Sequence, residues 1–256
     1  MANLIRMDIY RIFKTKAFWV CMIIAAVAAL GMAPFEKLMW LLARALSSEV
    51  PTFEKSVELS SLIGDPFPLL NAMLAMLSAC AFFYADQENG YIKNIAGQMP
   101  RKGYTLLSKF VAALPHNLLF MLVGVVAKLL GTLPFKSIAF DGAVLNSIGK
   151  FCIDFLLLQS ICAILLLVTA GFANKSLGTV LAVLFGTGLL VLVYMGIDSG
   201  LDKVFTKKSF SIAEYMPDQL LGDGDASALR RIVVALVTCA IFLPLGIRVV
   251  DRKEIK

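Results

Sequence analysis

Few residues in this chain have the type and spacing to do covalent chemistry. One histidine, His116, stands beside Pro115. A single imidazole excludes the HExxH zinc arrangement, and no GxSxG nucleophile elbow is present. A lone His beside Pro in an apolar run reads as a helix-packing or interfacial residue rather than a general base. The stretch GTLPFKS, from Gly131 to Ser137, echoes a phosphate-binding loop. It lacks a second glycine ahead of Lys136, and no strand precedes it. The five cysteines (Cys21, Cys80, Cys152, Cys162 and Cys239) all fall in apolar runs without CxxC spacing. They read as small buried hydrophobes, and no metal site is expected. The chain is therefore expected not to be an enzyme, with no catalytic residue and no nucleotide site of its own.

The elements around these residues are set by composition. Of 256 residues, 59% are hydrophobic and 16% charged, with a mean hydropathy of +0.82. A soluble domain is about 45–50% apolar and about 25% charged. Such a chain cannot cover a water-facing surface, so it is expected to be an all-α polytopic membrane protein forming one transmembrane domain over 1–256. A helix crossing the hydrocarbon needs roughly 20 mostly apolar residues. Six stretches qualify: 17–35, 67–85, 110–133, 151–173, 177–197 and 232–247. They are continuous runs rather than alternating ones, which favours helices over a barrel. The last is short, and Arg231 and Arg248 at its ends are expected to snorkel outwards. The first lacks a small-x-small cleavage site and is expected to be a retained span rather than a signal peptide.

Six spans put both termini on one side. Basic residues are densest in the short segments of that side: Arg6, Arg11, Lys14 and Lys16; Lys93, Arg101, Lys102 and Lys109; Lys175; and Arg248, Arg252, Lys253 and Lys256. The positive-inside rule makes both termini cytoplasmic. In residues 1–16, Ile5, Ile9, Ile12 and Phe13 share one helical face and the basic residues lie largely off it. That pattern predicts an amphipathic helix along the inner membrane surface. Ala25, Ala29 and Ala33 in the first span, and Ala75 and Ala79 in the second, recur at four-residue spacing. Such small residues permit close helix approach. Ala25, Ala29, Ala75 and Ala79 are candidates for a subunit interface, and equally for ordinary filler.

Ion-driven carriers hold ionisable groups near the bilayer midplane. Here Lys128 is expected about 27 Å along the third span, at its outer boundary. Asp154 sits about a turn inside the fourth, and Asp198 closes the fifth. No internal repeat is evident.

The remaining anomaly is DQENGYIKNIAGQMPRKGYTLLSK, residues 86–109, a charged cytoplasmic segment between two apolar runs. Glu88 to Asn94 are expected to open a short helix that Gly97 and Pro100 end, with Arg101 to Gly103 turning the chain into the third span. On residue chemistry alone this is either a docking helix or a solvated connector.

An acidic residue and Gly after the second span (Glu88, Gly90), a short helix, then Pro100, Arg101 and Lys109 resemble the cytoplasmic loop of membrane subunits of type 2 ABC exporters. Tyr91 stands where that family has threonine. The likeness extends to the N-terminal helix, the short Asn174 to Ser176 connection, and the extracellular stretch 202–231. In that stretch Ser209 to Pro217 is similar to the family's re-entrant helices. The resemblance implies two paired permease copies (a homodimer or a pair with a paralogous subunit) and two copies of a cytosolic ABC ATPase that supply ATP and Mg. It implies that Glu88, Gly90, Ile92, Lys93, Ile95, Pro100 and Arg101 couple to that ATPase. By analogy with small bacterial members, the cargo is an amphipathic or hydrophobic substrate such as an antimicrobial or cytolytic peptide, exported across the plasma membrane. The alternative is a stand-alone secondary carrier or a non-transporting membrane scaffold.

Overall fold

The computed structural model describes residues 2–46, 56–65, 70–90, 101–204, 211–221, 223 and 226–252. These are nearly all helical. In chain order they form α1 (Ala2–Lys14), α2 (Lys16–Leu46), β1 (Ser56–Glu58), α3 (Leu59–Gly64), α4 (Asn71–Glu88), α5 (Tyr104–Thr132), β2 (Ser137–Ala139), α6 (Val144–Leu166), α7 (Lys175–Thr187), α8 (Leu190–Val204), α9 (Pro217–Leu220) and α10 (Ala228–Arg252). A π-turn at Leu167–Gly171 continues α6. The two three-residue strands pair in parallel, Ser56 with Ser137 and Glu58 with Ala139. They are the one departure from an all-α fold among the described residues, and they tie the segment after α2 to the segment after α5.

Among the described residues four helices are long and apolar enough to cross a membrane: α2, α5, α6 with its π-turn, and α10. A fifth crossing exists if α7 and α8 count as one broken span, since they meet at 84°. The fifth expected span, a straight helix over 177–197, is therefore corrected. Gly188 sits at the break with φ of +69°, a left-handed backbone that ends α7 and that residues with a Cβ adopt only with strain.

The second expected span, 67–85, corresponds to α4, which starts later and ends on Asp86, Gln87 and Glu88. Its polar end lowers its hydropathy, and its apolar body faces protein. Ala75, Met76, Ala79, Cys80, Phe82 and Phe83 are all at most 1% exposed. A helix enclosed by its neighbours needs no separate lipid-facing stripe. α4 is thus the spine of the core, packed with Phe18, Ala25, Phe120, Leu158, Ile161 and Leu165. Lipid-type surface lies on the outer helices, as at Trp19, Ile23 and Val27 of α2 and Val233 and Leu236 of α10.

Two further expectations change. α10 runs for 25 residues rather than 16, so Arg231 need not reach outwards. Arg231 is 3% exposed and pairs with Asp154 of α6, itself 1% exposed. Two buried opposite charges satisfy each other where either alone would be costly. Ala25, Ala29, Ala75 and Ala79 are each at most 1% exposed within this one chain. The close approach they allow is between α2 and this chain's own helices, so these positions offer no surface to a second copy.

Candidate functional site

α4 and α5 frame residues 89–103, and their facing ends carry a closed set of charges. Asp86, in the last turn of α4, receives Arg11 of α1 and Lys109 of α5, the latter with Nζ 3.0 Å from Oδ2. Lys109 Nζ also donates to the carbonyls of Phe82 and Phe83, at 3.1 and 2.9 Å, and lies over the Phe82 ring. An ammonium has three donors, and here each has an acceptor. The carbonyl end of α4 is the negative end of its dipole, which adds to the attraction. Beside it, Ser108 donates to Asp8 of α1 at 2.5 Å, and Arg11 Nη1 lies 3.6 Å from Asp8. Asp8, Asp86 and Lys109 are 2 to 3% exposed. Two acids and two bases leave the cluster neutral, which is what makes its burial tolerable.

The amphipathic pattern of α1 explains how it docks. Leu4, Asp8 and Ile12 are its buried residues, one helical turn apart, so an acid interrupts the apolar stripe where it meets α5. Burial holds the Asp8 carboxyl above its ordinary value, while the Ser108 hydroxyl and the Lys109 and Arg11 charges pull it down less strongly.

Other ties hold the same end of the bundle. Gln87 Nε2 donates to the Ala170 carbonyl at 2.7 Å. That carbonyl belongs to the last turn of a helix, where intrahelical donors run out. Asp251 of α10 accepts the Gly103 N–H at 2.7 Å, satisfying a donor at the start of α5. Glu88 pairs with Lys175 at the start of α7. Both are about half exposed, so that pair is worth only ~0–1 kcal/mol.

The sequence-predicted coupling residues divide accordingly. Ile92, Lys93, Ile95 and Pro100 lie outside the described residues. Glu88 does not open a new helix; it is the last residue of α4 and faces Lys175. Gly90 follows with φ of +64° and terminates α4. Arg101 is exposed at the far side of the loop, and its carbonyl accepts from the Tyr104 N–H as α5 begins. The structure thus places Glu88 and Gly90 at the end of α4 and Arg101 just ahead of α5. Sequence reasoning missed Asp8, Asp86 and Ser108. The legible signal was an acid on the apolar face of α1 and a second acid in the last turn of α4.

A second polar set lies about 11 Å further along the α4–α5 seam, seven to eight residues on. Ser78 Oγ and His116 Nε2 are 2.6 Å apart, and His116 Nδ1 and Asn117 Oδ1 2.9 Å. Asn117 donates to Gln159 of α6 at 2.8 Å, and Gln159 donates to the Phe110 carbonyl at 2.9 Å, in the turn ahead of Pro115. His116 is fully buried near the middle of α5. Its ring is enclosed by Ser78, Asn117, Phe18 and Phe120. The arrangement is a joint, charged where α4 ends and α5 begins, hydrogen-bonded deeper, and shared among α1, α4, α5 and α6.

The joint belongs to a recognisable kind of membrane subunit. The family model described as "ABC-2 family transporter protein" matches residues 4–189, which run from α1 through α7 and include all of the joint but Asp251. The chain belongs to the ABC-2 transporter family: it is a multi-pass membrane permease subunit, separate from the ATPase with which the family works. No curated protein matches the chain.

Proposed function

We propose that this chain is the membrane subunit of an ATP-driven exporter and that residues 86–109 are where a cytosolic ATPase acts on it. The observation that carries this reading is the buried Arg11–Asp86–Lys109 cluster, which joins both ends of that segment to each other and to α1. A loop clamped at its base passes a push into the helices, whereas a loop on loose ends absorbs it. Two permease copies and two ATPase copies form the working unit, with both termini of each permease in the cytoplasm. The cargo is an amphipathic or hydrophobic molecule, a peptide being the favoured class. The broad apolar outer surface and the absence of a charged pathway near mid-span among the described residues suit such a cargo better than a small ion.

The test is co-purification of a cosynthesised ABC ATPase from the same organism with tagged permease, followed by vesicle ATPase assays with and without amphipathic peptides. The expected result is a stable complex whose ATP hydrolysis rises with cargo. A permease that retains no ATPase, yet moves substrate along an ion gradient, would instead establish the stand-alone carrier.

A further inference from the structure

A cavity of about 640 Å³ opens at the end of the bundle far from the Asp86–Lys109 joint. It lies between the outer third of α2, the β1–α3 corner and the end of α5. Its volume falls within the range of small-molecule sites. Met32, Phe35 and Met39 of α2 give it an apolar rim, and all three are about half exposed. The charged lining is two ion pairs. Lys136 Nζ lies 2.8 and 2.9 Å from the two carboxylate oxygens of Glu36, and Lys128 Nζ lies 2.8 Å from Asp65 Oδ2. In each pair the lysine is the more enclosed partner: 5% against 58% side-chain exposure in the first, 18% against 56% in the second.

The depth of the cavity is set by α2. Glu36 is twenty residues beyond Lys16, about 30 Å along the helix, which equals the thickness of the hydrocarbon layer. The ion pairs therefore lie at the far headgroup boundary, with Met32 and Phe35 on the hydrocarbon side of them. An amphiphile in that leaflet would meet an apolar rim and a charged lining in the order its own parts present them. The lining carries two ammonium and two carboxylate groups, so it is neutral. A purely anionic head would face the more exposed Glu36 and Asp65, and a purely cationic head would face Lys128 and Lys136. A head carrying both charges meets neither penalty.

We infer that this cavity is a binding site for a zwitterionic phospholipid of the far leaflet, its phosphate towards Lys128 and Lys136, its ammonium towards Glu36 and Asp65, and its acyl chains along Met32 and Phe35. The site is separate from the ATPase-coupled joint and does not depend on what is transported.

Native mass spectrometry of the full-length chain in detergent tests this, with equal additions of phosphatidylethanolamine, phosphatidylglycerol and diacylglycerol carrying identical acyl chains. Phosphatidylethanolamine should bind about tenfold better than either of the others, as two charge-assisted contacts would give. Lys136→Gln removes one of those contacts and should weaken that binding about threefold. Ser61→Trp, at an exposed position lining the cavity whose hydroxyl bonds to the Glu58 carbonyl, should fill the space and reduce phosphatidylethanolamine binding to the level of diacylglycerol. Equal binding of the three lipids, a preference for phosphatidylglycerol, or unchanged phosphatidylethanolamine binding in Ser61→Trp would each overturn the assignment. Ser61→Trp decides the matter if Lys136→Gln fails to fold.

Discussion

Lys109 Nζ bridges Asp86 Oδ2 at 3.0 Å and the Phe82 and Phe83 carbonyls of the same helix, so one ammonium fastens the start of α5 to the end of α4. Both charged side chains are about 95% enclosed. Lys109→Met leaves Asp86 with Arg11 alone and takes a second donor from the Phe82 and Phe83 carbonyls, which keep their intrahelical N–H partners. Removing one member of a buried pair costs about 3–5 kcal/mol. The double variant Asp86→Asn, Lys109→Gln keeps hydrogen-bonding groups without charge and should cost less than Lys109→Met alone. Thermal unfolding of the purified chain in detergent measures both, and a smaller loss for Lys109→Met than for the double variant would contradict this.

Asp8 gives the joint a pH dependence of defined sign. Burial holds its carboxyl above the ordinary value of 3.8, so the folded chain binds that proton more tightly than the unfolded chain. The cost of keeping Asp8 charged is fully present above the folded value. It is relieved as pH falls towards the ordinary carboxylate range. Asp8→Asn keeps an acceptor for Ser108 and removes that cost. Its midpoint of unfolding should exceed that of the parent at pH 7.5, with the gap closing towards pH 4.5. A gap that widens on acidification would show the opposite shift.

Ala25 and Ala79 are core positions within one chain, 1% and 0% exposed. Ala25→Leu and Ala79→Leu should therefore overpack the protomer and cost about 1–3 kcal/mol each. The loss should be the same at any protein concentration. A concentration-dependent loss would return these residues to a subunit interface.

The way these residues fold shows what the sequence could and could not reveal. The long apolar runs that became α2, α5, α6 and α10 were legible, because lipid-facing helices must be apolar over about 20 residues. α4 was also legible as a helix, yet its enclosure was not: hydropathy reports how apolar a segment is, not whether lipid or protein surrounds it. The bend at Gly188 lies inside an apolar run with four glycines, Gly178, Gly186, Gly188 and Gly196, and only Gly188 takes a positive φ, which residue type alone does not single out. Of the site, the loop and Lys109 were visible as charge in an apolar setting. Asp86 was read as part of the loop and Asp8 was passed over. Their pairing with Arg11 and Lys109 spans 75 residues at its widest and has no local pattern. Arg231 was read as a snorkelling end because its partner Asp154 lies in another helix.

In the proposed function, residues 86–109 transmit ATPase motion through the Asp86–Lys109 joint. The measurement that reaches this most directly is cargo-stimulated ATP hydrolysis by the permease–ATPase complex carrying Ile92→Pro. In the docking helix proposed here an interior proline would cost about 3 kcal/mol locally, and position 92 belongs to neither α4 nor α5. The variant should insert and unfold like the parent, but lose ATPase co-purification or the stimulation of hydrolysis by cargo. A variant that keeps both would make the segment a plain connector and contradict the account.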